Sequence, residues 1–147
     1  MKTLPVSFNE ALEQSVKKYW NRNALSDYGE ITFQYKDAAR IIAKLHILFE
    51  ETGIKKGDKI ALCGSNSSRW GMAFIATITY GAVAVPILPD FHPEQIHQIT
   101  NHSEARLFFV ADKIWKKIIV PYPHCFKNCY RNHCRLKYWE YNSEERL

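Results

Sequence analysis

Three short apolar runs alternate with segments of helical periodicity, and this alternation limits how the chain can fold. The runs are residues 59–63, 82–88 and 105–112, each flanked by glycine, proline or charged residues. Such runs are typical of strands that are buried on both faces of a sheet. Because helical segments separate them, the sequence predicts βαβ units, and so an α/β fold with alternating strands and helices and a mainly parallel sheet.

Capping residues place the predicted helices. Ser7 and Glu10 form an S-x-x-E capping box, and Gly53 is suited to end a second helix. Either Asn66 or Ser67 can cap a third helix, and a fourth begins at a proline. The predicted helices are residues 8–20, 36–51, a segment with Trp70, Phe74 and Ile78 on one face, and 93–103, with a short strand at 30–35.

Length and charge exclude several classes of protein. The 147 residues suit one compact domain, and a net charge of +5 with interspersed acidic residues does not favour nucleic acid binding. Glu10 and Glu13 interrupt the apolar stretch that a secretion signal needs. The uncharged residues 72–88 contain Gly81 and Pro86, so we expect no transmembrane segment, and a cytoplasmic chain with reduced thiols.

The character of the sequence changes near residue 119. Residues 119–147 have few aliphatic side chains, many aromatic and basic ones, and three of the four cysteines. They continue neither the helical nor the strand pattern. The sequence therefore divides into an α/β segment, residues 1–118, and a tail, residues 119–147.

Residues 53–71, GIKKGDKIALCGSNSSRWG, raise the question of a phosphate site. A phosphate loop of the G-x-x-x-x-G-K-[ST] type needs Gly-Lys after its first glycine, whereas Gly64 is followed at that distance by Arg69-Trp70. The G-x-G-x-x-G dinucleotide pattern is also absent. The interpretation from the residues alone is a turn, a core strand and a capped helix.

Residues 30 to about 115 resemble the N-terminal part of the AMP-forming acyl-CoA synthetases, the adenylate-forming family, with a likeness to long-chain fatty acid–CoA ligases. Five motifs carry the resemblance in order: ITFQYKDAARIIAKL, GIKKGDKIAL, NSSRW, YGAVAVPILP and HSEARLFFV. Tyr35-Lys36-Asp37 departs from the acidic-Leu ending that is usual in the first motif. By this resemblance the chain is an incomplete piece of the large N-terminal domain of such an enzyme.

The resemblance implies an activity whose machinery lies outside this sequence. Family members use ATP and Mg to convert a carboxylic acid to an acyl-adenylate, and then transfer the acyl group to coenzyme A. The Ser/Thr/Gly-rich phosphate loop, the ribose-binding Asp and the mobile C-terminal lysine have no counterpart here. We therefore name no catalytic, cofactor-binding or metal residue, and the matched positions are structural: Gly57, Asp58, Asn66, Trp70, Gly81 and Pro86.

Several hypotheses remain open for the tail and for the partners of the chain. A frameshift or premature stop near residue 119 would explain the tail, and a split synthetase completed by a second chain would preserve function. A zinc site and a single-stranded nucleic acid surface are weaker alternatives, because the ligand spacing is irregular and glutamates dilute the basic charge. An uncovered apolar face and an open sheet edge would favour self-association. The zinc alternative would use His124, Cys125, Cys129, His133 and Cys134.

Overall fold

The computed structural model describes residues 7–119, and this part of the chain forms five helices and five strands. The hypotheses of a zinc site and of a nucleic acid surface concern residues 120–147, which lie outside the described residues. The elements in chain order are α1 Phe8–Tyr19, β1 Asn23–Ser26, β2 Thr32–Gln34, α2 Tyr35–Glu51, β3 Lys59–Cys63, α3 Ser68–Tyr80, β4 Val83–Ile87, α4 Pro93–His102, β5 Leu107–Val110 and α5 Asp112–Ile119.

The predicted parallel sheet is confirmed, with β3 at its centre. The strand order is β4-β3-β5, and both pairings are parallel. The chain passes from β3 to β4 on one side and then crosses back to β5 on the other. This order is that of a doubly wound sheet, in which successive crossover helices cover opposite faces.

Alternate residues of the strands point into two separate cores, as the pleat of a strand requires. One core joins Ile60 and Leu62 of β3 to α2 and α3, and the other joins Ala61 and Cys63 to α4 and α5. The helices therefore form a layer on each face, and β3 and β5 are buried nearly throughout.

The N-terminal region differs from the prediction in two respects. β1 and β2 form a separate antiparallel two-stranded sheet, and the predicted strand 30–35 is shortened to Thr32–Gln34 because Tyr35 already begins α2. The side chain of Ser7 caps α1, accepting from the backbone N–H of Glu10 at 3.2 Å. None of the residues of α1 is buried, and Phe8 is 53% exposed.

Helices α2 and α3 end in the same way, on glycines with left-handed backbone conformations. After α2, Gly53 has φ +71° and the N–H of Ile54 reaches back to the carbonyl of Phe49 at 2.8 Å. After α3, Gly81 has φ +88° and the N–H of Ala82 reaches the carbonyl of Thr77. Both are Schellman motifs, which confirms the helix end predicted at Gly53.

The buried faces of α2 and α3 are rotated from the predicted ones. The helical spacing of Ile41, Leu45 and Leu48 predicts one buried face of α2. The structure buries Leu45 together with Ile42 and Phe49, while Ile41 and Leu48 are partly buried beside them. In α3 the predicted face of Trp70, Phe74 and Ile78 is half-buried. The residues that α3 buries against its surroundings are Ser68, Met72, Ala73, Ala76 and Thr77.

Candidate functional site

A pocket of about 220 Å³ opens where β3 and β5 end at their carboxyl termini. This is the point at which the strand order reverses, and ligands of open α/β sheets bind at such switch points. Within the described residues, its position at this switch point makes the pocket the candidate functional site. Its lining consists of Leu62, Cys63, Gly64, Ser65, Ser67, Arg69, Trp70, Ala73, Phe109, Ala111 and Asp112.

Trp70 forms one wall of the pocket. Its ring stacks on Phe74 with the centroids 5.5 Å apart and the planes at 9°. Gly64 leaves room beside it, since a Cβ there would lie 3.6 Å from Trp70 Cδ1 and 3.7 Å from the Cβ of Ala111. Because both distances are ordinary contacts, the pocket would tolerate an alanine at position 64.

The protein's own side chains occupy the N-terminus of α3. Ser67 Oγ accepts from the N–H of Trp70 at 3.2 Å, which settles the predicted alternative of Asn66 or Ser67 in favour of Ser67. Asp27 Oδ1, from the turn between β1 and β2, accepts from the N–H of Ser68 at 2.6 Å. Two of the free N–H groups that could hold a phosphate are thus satisfied, and a carboxylate already stands at the positive end of the helix.

Two charged residues line the pocket, Arg69 from α3 and Asp112 at the start of α5. Both are half-buried, and within residues 7–119 neither forms an ion pair. No motif in the sequence singles out Arg69, and Asp112 follows a predicted strand, where an acidic turn or cap residue is ordinary. They are brought together by the parallel pairing of β3 with β5.

Cys63 lies in the wall of the pocket but is a poor nucleophile. It is 2% exposed, and burial raises the pKa of its thiol to about 11. The thiol is therefore protonated at neutral pH, whereas the thiolate is the reactive form. Cys63 therefore serves as a small buried apolar side chain.

The pocket is suited to binding rather than to bond-breaking. It offers apolar walls, two hydroxyls and two opposite charges, with no activated nucleophile. The carboxylate of Asp27 at the N-terminus of α3 also disfavours a phosphate group at this end of the pocket. Across residues 7–119, no three His, Cys, Asp or Glu side chains lie close enough together to hold a metal ion.

The histidines serve different structural purposes. His46 lies between α2 and α3, with Nε2 3.0 Å from the carbonyl of Ala76 and 3.1 Å from Thr79 Oγ1. His97 is buried with Nε2 3.1 Å from the carbonyl of Ile118, whereas His92 is the N-cap of α4. His46 is half-buried in the middle of α2, as expected of a histidine at the boundary between core and surface.

Three of the structural positions cluster at the opposite, amino end of the sheet. Asp58 Oδ2 accepts from the N–H of Lys55 and from Arg106 Nη1, both at 2.7 Å. The backbone N–H of Lys55, assisted by the Arg106 guanidinium, holds the pKa of Asp58 below its ordinary value. Gly57, with φ +86°, donates its N–H to the carbonyl of Gly81 at 2.8 Å. These contacts fasten the loops that precede β3, β4 and β5.

A parallel sheet with a reversed strand order, and a pocket at the reversal, defines a doubly wound α/β protein. The family to which it belongs follows from comparison with known proteins. The family model described as "AMP-binding enzyme" matches residues 12–144, and the chain belongs to this family. The match continues beyond residue 118, and the predicted division there stays a prediction.

Curated relatives and solved structures agree with this assignment. The chain is 28% identical over 127 residues to long chain acyl-CoA synthetase 2 of Arabidopsis thaliana, covering 81% of this chain and 18% of that protein. It is 27% identical over 107 residues to the long-chain-fatty-acid–CoA ligase of Escherichia coli O157:H7, covering 72% and 19%. The anthranilate CoA ligase AuaEII, solved in complex with anthranoyl-AMP, matches with a TM-score of 0.76 at 19% identity over 84% of this chain and 24% of that chain.

These proteins are much longer than the chain. The chain spans about a fifth of the length of the two curated relatives. Its fold is that of a part of the N-terminal domain of adenylate-forming enzymes, which confirms the predicted resemblance. Within residues 7–119, no helix has both the length and the apolar character that a membrane span requires.

Proposed function

We propose that the chain supplies the opening scaffold of an ATP-dependent long-chain acyl-CoA synthetase. The observation that carries this proposal is the family match over residues 12–144, joined by curated relatives that are named as long-chain enzymes. In such an enzyme a carboxylate attacks the α-phosphate of ATP, which gives an acyl-adenylate and releases pyrophosphate. A thiol, that of coenzyme A, then attacks the acyl carbon and releases AMP.

In this proposal the chain contributes structure rather than reacting groups. ATP, Mg and coenzyme A are held mainly by other parts of the enzyme in this proposal, because the sequence has no Ser/Thr/Gly-rich phosphate loop. The remaining four fifths come from further residues of the same polypeptide or from a complementary second chain. The chain alone is expected to be inactive.

The first test is ATP–pyrophosphate exchange that depends on added fatty acid, measured with the isolated 147-residue chain and with the E. coli ligase as positive control. Exchange above a no-protein blank would refute the proposal that the chemistry lies elsewhere.

The second test is a chimera in which residues 30–115 replace the matching segment of the E. coli ligase. Activity is expected, with the chain-length preference of the host, because in this proposal the acyl pocket lies in the other four fifths of the enzyme. The same chimera with Ala61→Pro is a matched control: it breaks the central strand β3 and should be inactive. A folded but inactive chimera would contradict the scaffold role.

We also propose a cytoplasmic location. The free thiol of Cys63 fits a reducing compartment. Fractionation of cells that express the chain tests this, and recovery with a secreted marker would refute it.

A further inference from the structure

The outer strand β4 presents an apolar edge. Among residues 7–119 it pairs with β3 alone, and residues 82–88 carry no charged side chain. Val83, the first residue of β4, and Leu88, just after its end, are 47% and 62% exposed, and Pro86 is exposed between them. Natural edge strands are usually protected by charges, bulges or prolines, because a free edge can pair with another chain.

The backbone geometry shows which residues of β4 face outward. The N–H of Val83 donates to the carbonyl of Asp58 at 2.8 Å, so it points toward the β3 side. Because the N–H and C=O groups of a strand alternate in direction, Val85 and Ile87 also face β3, and Ala84 and Pro86 face outward. Proline has no N–H. The outer edge of β4 therefore offers a single donor, the N–H of Ala84.

We propose that Pro86 prevents this edge from pairing with a second copy of the chain. Two copies related by a two-fold axis would bring their β4 edges together in antiparallel fashion, and each proline would remove one N–H···O bond from the ladder. The pyrrolidine ring would also stand where the partner carbonyl must approach. The exposed apolar strand is thus protected by its backbone and not by charge.

Pro86 limits the ways in which the chain can self-associate. An open sheet edge is one of the two predicted causes of self-association, and the position of Pro86 removes that cause at β4. Association through an uncovered apolar face of the chain is a separate prediction. The two can be told apart because only edge pairing depends on outward N–H groups.

Hydrogen exchange of the wild-type chain is the first test and needs no substitution. The amide of Ala84 should exchange with little protection, while those of Val85 and Ile87 should be protected because they donate to β3. Protection of Ala84 equal to that of Val85 would mean that the edge is already paired and would overturn the proposal.

The second test restores the missing donor with Pro86→Val, which is compatible with a strand. Two N–H···O bonds return in each dimer, at about 1 kcal/mol each, so self-association should tighten by about thirtyfold in sedimentation equilibrium of the full chain. The matched control is the double variant Ala84→Pro with Pro86→Val, which moves the missing donor to the other outward position of the same edge. Its self-association should return to the wild-type value.

Two results would overturn the proposal. One is a Pro86→Val chain that associates no more tightly than wild type. The other is equal association of Pro86→Val and the double variant, since this would show that the added valine side chain and not the restored N–H is the cause.

Discussion

Replacing Phe49 with alanine should remove a large part of the stability of the fold. Phe49 is 0% exposed and lies at the centre of the core that joins α2 and α3 to the sheet. Its ring contacts Tyr80 with centroids 5.3 Å apart and Phe109 at 6.1 Å, so the cavity would be bounded by large side chains on fixed elements. We expect Phe49→Ala to lower the free energy of unfolding by about 3–5 kcal/mol. Domains of this size have a total free energy of unfolding of about 5–15 kcal/mol.

Trp70→Ala is the comparison that tests the reasoning. Trp70 is the larger side chain, but it is half-buried at the rim of the pocket and loses chiefly its stacking on Phe74. Its truncation should cost about half as much as that of Phe49, roughly 2 kcal/mol. The assay is urea unfolding of the full chain by far-UV circular dichroism, with the slope m compared between variants. If Trp70→Ala were the more destabilising of the two at unchanged m, burial in this structure would not govern the energetics.

Three further predictions concern backbone, charge and thiol. Gly81→Ala should destabilise the fold by about 1–2 kcal/mol, and by more than Gly53→Ala does. Both glycines have positive φ, but of the two only Gly81 would bring its new Cβ against another side chain, that of Lys56 at 3.1 Å. Equal urea midpoints of the two variants would refute this. The pKa of Asp58 is lowered in the folded chain, so its carboxylate stabilises the fold above the unfolded pKa of about 3.9, and this stabilisation is lost as the pH falls through the folded pKa. Asp58→Asn should therefore make the urea midpoint fall less steeply with acid than in the wild-type chain. An identical fall in the two chains would count against this. The Cys63 thiol should resist alkylation at pH 8 until urea unfolds the chain, because burial raises its pKa to about 11. Mass spectrometry of the peptide that contains Cys63 measures the labelling, and fast labelling of the native chain would contradict this.

Features encoded by neighbouring residues could be predicted from the sequence. The runs at 59–63 and 82–88 became strands because continuous apolar stretches suit a sheet covered on both faces. Gly53 and Ser67 act through atoms a few residues away, so their pattern is visible in one turn of chain. The same reasoning missed β1, Asn23–Ser26, whose residues show no alternation and whose pairing depends on β2.

Features that depend on distant residues could not be predicted. The pocket exists because parallel pairing brings Arg69 and Asp112 to one end of the sheet. The cap that Asp27 places on α3 spans 41 residues of sequence, and no local pattern announces it. The rotation of the buried face of α2 was missed because Ile41 and Ile42 are equally apolar, and only packing against α3 and the sheet chooses between them.

The central position of β3 also sets an order of assembly on the ribosome. β3 pairs with β4 at a sequence separation of 24 residues (Lys59 to Val83) and with β5 at 47 residues (Ile60 to Leu107). This doubling of the separation raises the free energy of loop closure by only about 0.6 kcal/mol. Synthesis separates the two events further, because β5 leaves the ribosome about 1–5 s after β4. Helices and short loops form in microseconds, so α2 and α3 can cover one face of the sheet while the other face still waits for its helices. Proteolysis of chains stalled between the two strands can detect this interval, and full protection of such chains would exclude it. During that interval the nascent chain is a one-sided sheet, and its uncovered side is a natural surface for a chaperone.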